Sequence, residues 1–140
     1  MIKFKSTSQS ITIADIEEFE TNFQVKLPAN YKELLLKFNG GYNPNVDDTL
    51  RTLYSIRYGK HTVEFGIQVN QIWEDNIPKD YLGIGGTGLG DEITICVKEG
   101  DDYGKIFLFR LDTLEPELLS DSLEDFLGVE SIEDLGGDAV

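Results

Sequence analysis

From Ile13 onward, apolar side chains return every three or four residues. Ile13, Ile16, Phe19 and Phe23 form one stripe, while Asp15, Glu17, Glu18 and Glu20 fill the opposite side. That period predicts an amphipathic helix. Thr12 is suited to cap it, with Asp15 at the third helical position completing a capping box and Ile11 and Ile16 forming the hydrophobic staple. A second helix is predicted within residues 27–41, where Tyr31, Leu34, Leu35 and Phe38 make one stripe. Pro28 suits its first turn, and Asn39, Gly40 and Gly41 offer the left-handed residues that stop a helix.

The middle of the chain changes period. Tyr54, Ile56 and Tyr58 alternate with polar residues, as do Val63, Phe65 and Ile67, and Gly59–Lys60 lies between them, so a β-hairpin is expected. Residues 70–76, with Ile72 and Trp73, read as one helical turn, and Tyr81 to Ile84 as a short strand. Glu92–Val97 and Lys105–Leu111 are β-branched and aromatic enough for strands, joined by the turn-forming EGDDYG. A last helix is predicted from Leu123 to Leu127, capped by Asp121 or Ser122, with Leu123, Phe126 and Leu127 inward. Residues 129–140 read as an acidic, frayed tail. The expectation is one α+β domain over 1–140, with its core at about 11–128: an N-terminal helix pair, an antiparallel or mixed β-meander and a short C-terminal helix.

Charge narrows the partners. Twelve Lys and Arg against 26 Asp and Glu leave a net charge of −14 in 140 residues. Nucleic acids and anionic membranes need a basic footprint, so unaided binding to either is excluded and a basic partner is favoured. One cysteine and one histidine rule out a disulfide framework and a Cys-based zinc finger. The amino terminus lacks a signal-like apolar run and no stretch is long enough to span a bilayer, so the expected setting is cytoplasmic, without membrane attachment.

Motifs for catalysis fail on context. Gly83, Gly85 and Gly88 spell G-x-G-x-x-G, but the strand-like EITICV follows where a dinucleotide fingerprint needs a helix, which points to a tight structural loop. Counting from Asn43, the sixth and twelfth positions of a calcium loop are Asp48 and Tyr54 instead of Gly and Glu. Cys96 alternates into an apolar strand as an inert thiol, and His61 has no G-x-S-x-G elbow to serve. Neither an enzyme nor a bound metal or cofactor is expected. Binding residues are sought instead among loop acids and exposed aromatics, which combine steering charge with large contact area. The candidates are Asp47, Asp48, Asp101 and Asp102, helped by Trp73, Glu74, Asp75 and Tyr103. No Lys or Arg follows Arg110, while Asp112, Glu115, Glu117, Asp121, Glu124 and Asp125 surround the final helix.

Leu27, Pro28, Tyr31, Leu34, Phe38, Asn39, Gly40 and Gly41, preceded by the acidic helix, closely resemble the start of the SUKH superfamily, the Smi/Knr-type domain. A weaker likeness covers Gly85, Gly90, Asp91, Ile93, Gly104, Ile106 and Phe107, and the closing SLEDFL is similar to the family's final helix, with Leu123 in place of an aromatic. The resemblance runs over roughly residues 13 to 127. It implies a non-enzymatic protein of the compact bacterial type, an immunity protein that binds and neutralises a cognate toxin domain, often a nuclease. The alternative it implies is a regulatory scaffold module, as in fungal members. The motif residues themselves are implied to be structural.

Overall fold

The structure, a computed structural model, describes residues 2–110 and 112–136. Helix α1 (Ile13–Phe23) forms as its capping box dictates: Asp15 N–H donates to the Thr12 hydroxyl, and Thr12 N–H to the Asp15 carboxylate at 2.9 Å. Ile16 and Phe19 are buried, whereas Ile13, first in the predicted stripe, is 62% exposed because the helix has only just begun there. Gln24 ends the helix in the left-handed conformation, and the Glu20 carboxylate accepts from Leu27 N–H at 2.8 Å, turning the chain sharply into α2 (Ala29–Lys37). Pro28 is the residue before that helix, and Tyr31, Leu34, Leu35 and Phe38 are buried as the stripe predicts.

Six strands follow in simple order: β1 (Gly41–Tyr42), β2 (Thr52–Leu53), β3 (Tyr81–Gly86), β4 (Glu92–Cys96), β5 (Ile106–Phe109) and β6 (Pro116–Ser120). Every neighbouring pair is antiparallel. One face of the central strands, with Leu82, Ile84, Ile93, Ile95, Ile106 and Leu108, packs into the main core beneath the helices. The other carries a smaller cluster of Ile77, Cys96, Phe107 and Phe109, with Tyr81 set edge-on to both phenylalanine rings. Cys96 is free and buried there, and burial raises its thiol pKa.

The expected hairpin over residues 54–67 does not form. After β2 only a parallel bridge, Ser55 to Thr62, remains, and Val63–Gly66 is helical (α3), widening into a π-helix over Ile67–Trp73. Val63 and Ile67 are both buried, a spacing of four that serves a helix as well as a strand, whereas Phe65 between them is 57% exposed. The two-residue β2 pairs only with Gly85 and Gly86, so the first half of β3, paired with β4 on its other side, has no strand beside it on the β2 side, and the helical segment lies there: Gln71 Nε2 donates to the Tyr81 carbonyl at 2.7 Å.

Strands β1, β2 and β6 were not foreseen, and β5 is shorter than expected; Leu111, placed at its end, lies outside the described residues. The closing helix α4 (Leu123–Leu127) matches its expectation and is capped by the Ser122 hydroxyl. The stretch after it is not frayed throughout. A 3₁₀ turn (Ile132–Asp134) buries Ile132 and Leu135 in the core, and Lys37 Nζ donates to the Glu133 carbonyl at 2.8 Å. The rest of the expected tail, residues 137–140, lies outside the described residues.

Asn39 ties these pieces together. Its side-chain amide donates to the carbonyls of Gln9 (2.8 Å) and Ile56 (2.9 Å) and accepts from Ile56 N–H (2.8 Å), at 3% exposure. Truncation strands one buried N–H and removes the donor from two carbonyls. Asn39→Ala is expected to lower the unfolding free energy by about 3 kcal/mol in urea titrations. A loss under about 1 kcal/mol would show that water replaces the amide at no cost.

Candidate protein-interaction surface

An antiparallel meander sends alternate loops to opposite ends of the sheet, and this divides the eight predicted binding residues. Asp47 and Asp48 lie in the β1–β2 loop at one end; Asp101, Asp102 and Tyr103 lie in the β4–β5 loop at the other. Trp73 ends the π-helix and Glu74 and Asp75 follow it, shortly before β3 enters the sheet at that second end, where Val97 N–H donates to the Asp80 carbonyl at 2.8 Å. The eight therefore do not make one contiguous patch.

Several of them shape loops. Asn43 Nδ2 donates to the Asp48 carboxylate at 3.0 Å, and Asp47 N–H donates to the Asn45 side chain at 3.2 Å. The Tyr103 hydroxyl donates to the Lys26 carbonyl at 2.8 Å, clipping the β4–β5 loop to the corner between α1 and α2; burial and the nearby Glu20 carboxylate raise its pKa. Asp102 pairs with Lys105 at 3.2 Å.

The segment around Trp73 has a different character. Thr62 caps α3 by accepting from Phe65 N–H at 3.1 Å, and the turn then widens so that Glu74 N–H reaches the Val69 carbonyl five residues back, at 2.9 Å. Asn70 and Gln71 turn toward the protein, bonded to Glu92 and to the Tyr81 carbonyl. Ile72 and Trp73 turn outward, 60% and 67% exposed. An ordinary amphipathic helix buries its apolar residues and exposes its amides; this one is inverted over four residues. Ile72 also borders a cavity of about 430 Å³ between α1 and the π-helix, with Phe23, Val25, Ile67, Leu82 and Val97.

Two apolar residues were missed by sequence reasoning. Ile72 was noted as helical, but nothing in NQIWEDN marks which of its faces is dry. Leu89, 89% exposed, stands on the Gly88–Leu89–Gly90 turn at the opposite end of the sheet, where the Thr87 hydroxyl accepts from both Leu89 N–H and Asp91 N–H.

The family model described as SMI1 / KNR4 family (SUKH-1) matches residues 10–128. The chain belongs to that family. No curated protein matches it. The residues that carried the resemblance prove structural in this SUKH-1 chain. Tyr31 is wholly buried, Asn39 makes the bonds described above, and a Cβ at Gly40 would lie 2.8 Å from Ser55 Cβ. Among the described residues no helix is long and apolar enough to cross a membrane.

The SUKH-1 sheet also buries a carboxyl group. Glu92, 7% exposed on β4, accepts from the Tyr54 hydroxyl at 2.5 Å and from Asn70 Nδ2 at 3.3 Å. Its space comes from Gly83 across the strand pair, where a Cβ would lie 2.5 Å from a Glu92 oxygen. Burial raises its pKa from 4.5 to about 7, although the Tyr54 hydrogen bond opposes the shift. A carboxyl whose folded pKa is raised stabilises the fold most at low pH. The unfolded chain releases the proton near 4.5, the folded one near 7, and between those values the fold loses about 3 kcal/mol. Glu92→Gln mimics the protonated acid and is expected to be matched in stability with the parent below pH 4.5, then more stable by up to about 3 kcal/mol above pH 7. Chemical denaturation across that range checks this; parallel stability curves would refute it.

Proposed function

We propose that this protein is an immunity protein that binds a cognate toxin domain and neutralises it by contact, without catalysis, cofactor or metal, in the cytoplasm. The observation that carries the reading is the inverted segment. Ile72 and Trp73 are held in water by a backbone whose inward positions are filled by hydrogen-bonded amides, and Glu74 and Asp75 follow directly. Membership of the SUKH-1 family supports the same role. Exposed aromatic and aliphatic anchors beside carboxylates match a partner that offers an apolar socket within a basic field. A nuclease-type toxin fits, because its cleft must be cationic to hold phosphates, and a chain of net charge −14 competes for that field. Asp101, exposed at the same end, belongs to this surface; Asp47 and Asp48 contribute long-range steering from the far end.

Affinity capture from native-host lysate, followed by an activity assay of the captured polypeptide with and without this protein, tests the reading. A basic polypeptide whose toxic activity is silenced establishes immunity; capture of housekeeping or envelope-related proteins, with no activity inhibited, favours the scaffold role. With the toxin in hand, Trp73→Ala is expected to weaken the complex by about 2 kcal/mol or more, mainly through faster dissociation. Glu74→Lys with Asp75→Lys is expected to slow association and flatten its salt dependence, because surface charges are screened beyond ~8 Å at physiological ionic strength. Surface plasmon resonance at two salt concentrations separates the effects. A complex indifferent to Trp73 would remove this surface from the interface.

A further inference from the structure

Residues 1–14 and 49–63 carry no carboxylate in an otherwise acidic chain, and the cavity of about 330 Å³ that they line together with Gly41 and Tyr42 has none either. It lies beside β1 and β2, shares no residue with the cavity that Ile72 borders, and is lined by Ser6, Ser8, Thr52, Ser55, Lys60 and His61, with Tyr42 at one side. Three separate stretches of chain meet there. Before α1, the backbone pairs with Tyr42 through Lys5 (2.7 and 2.8 Å) and with the Asn39 carbonyl through Ser8 N–H (3.0 Å). Ser6, between them, takes a left-handed φ of 56°, a conformation a serine adopts only where its surroundings enforce it.

The loop carrying Lys60 and His61 is fixed as firmly. Ser55 N–H donates to the His61 carbonyl at 3.0 Å, Val63 N–H donates to the Ser55 carbonyl at 2.8 Å, and the Ser55 hydroxyl donates to the Tyr58 carbonyl. Gly59, at φ 103°, lets this loop lie against the serines: a Cβ there would stand 2.5 Å from Ser8 Oγ and 2.9 Å from Ser55 Oγ. Lys60 and His61 therefore project from a pinned turn.

The donors so assembled lack acceptors. Among the described residues, the hydroxyls of Ser6, Ser8 and Thr52, the Lys60 ammonium and the His61 ring have no side-chain hydrogen bond or ion pair. In a chain with more than twice as many acids as bases, a lysine and a histidine beside three hydroxyls without protein partners, with no carboxylate in the lining, select for an anion. Donors arriving from three chain segments suit a tetrahedral oxyanion, which accepts from many directions, better than a planar carboxylate, which a single fork satisfies. The cavity's size leaves room for more than the bare ion. We infer that this SUKH-1 chain binds the phosphate group of a small phosphomonoester in the pocket formed by Ser6, Ser8, Thr52, Lys60 and His61. The site does not depend on the toxin-binding reading.

The test is an amide chemical-shift titration of the full ¹⁵N-labelled chain with sn-glycerol 3-phosphate, and separately with inorganic phosphate, chloride holding the ionic strength constant. Saturable shifts confined to the amides of Ser6, Ser8, Thr52, Lys60 and His61 are expected. Lys60→Glu and His61→Ala, both at exposed positions, are each expected to weaken binding about tenfold or more while leaving the rest of the spectrum unchanged. Tighter binding of the ester than of inorganic phosphate supports the inference as stated; equal binding of both supports the phosphate site with the free ion as its source. Absence of saturation, shifts centred on other lysines, or shifts that survive Lys60→Glu would overturn it.

Discussion

One buried amide organises this molecule. Asn39 lies two residues past the end of α2, and its three hydrogen bonds reach back to Gln9 and across to both polar atoms of the Ile56 backbone. A side chain with two donors and an acceptor can satisfy segments that have no ladder of their own, and in a low-dielectric interior that satisfaction is nearly obligatory. The two glycines after it follow from the same constraint. Once Asn39 has drawn the Ile56 segment in, Ser55 lies so close that Gly40 has no room for a Cβ, and the Phe4 Cβ approaches to 2.9 Å of where one would stand on Gly41. Asn-Gly-Gly thus does more than stop a helix: it joins the amino-terminal segment, the helix pair and the first strands.

The glycines of the central strands obey a related rule of space. The G-x-G-x-x-G pattern lies in β3 and its turn, and a strand follows it, as EITICV indicated. Of the glycines in and around the motif only Gly90, in the turn, takes a positive φ. Gly83 and Gly85 instead leave room for other atoms. The first clears the Glu92 carboxyl, and the second lets the Thr52 carbonyl approach to 2.5 Å of a would-be Cβ. A glycine that makes way for a distant residue looks the same in sequence as one that makes a turn.

What was legible follows from whether the deciding interaction was local. Helices α1 and α4 carry caps and stripes within a dozen residues, and α2 carries its stripe, so all three match their expectation. Val63, Phe65 and Ile67 satisfy alternation and four-residue spacing alike, and the choice was made by the shortness of β2, which leaves the β3 side to a helix. Strand β6 escaped notice because an edge strand with three exposed residues, Pro116 to Leu118, shows no apolar alternation. The candidate binding residues were chosen by type, and type says nothing of position. Trp73 proved exposed, whereas the acid pairs were parted by an antiparallel connectivity that no pair of loops reveals alone.

Fold and surface meet at Glu92. Its carboxyl bonds Asn70, one of the two amides that turn the π-helix inside out, so a group buried in the sheet fixes which way Ile72 and Trp73 point. Rotating that segment to hide the two apolar side chains would strand the Glu92 oxygen in a dry site and free the Tyr81 carbonyl from Gln71. Each lost buried bond costs on the order of 1–3 kcal/mol, comparable to what burying one of those side chains would return. The exposed pair is therefore held by a near-balance that tilts toward exposure, and Glu92, itself destabilising when ionised, is retained in a position where a neutral residue would fold more firmly. That combination is expected if the contact surface proposed for Ile72 and Trp73 has been kept exposed at the expense of the core.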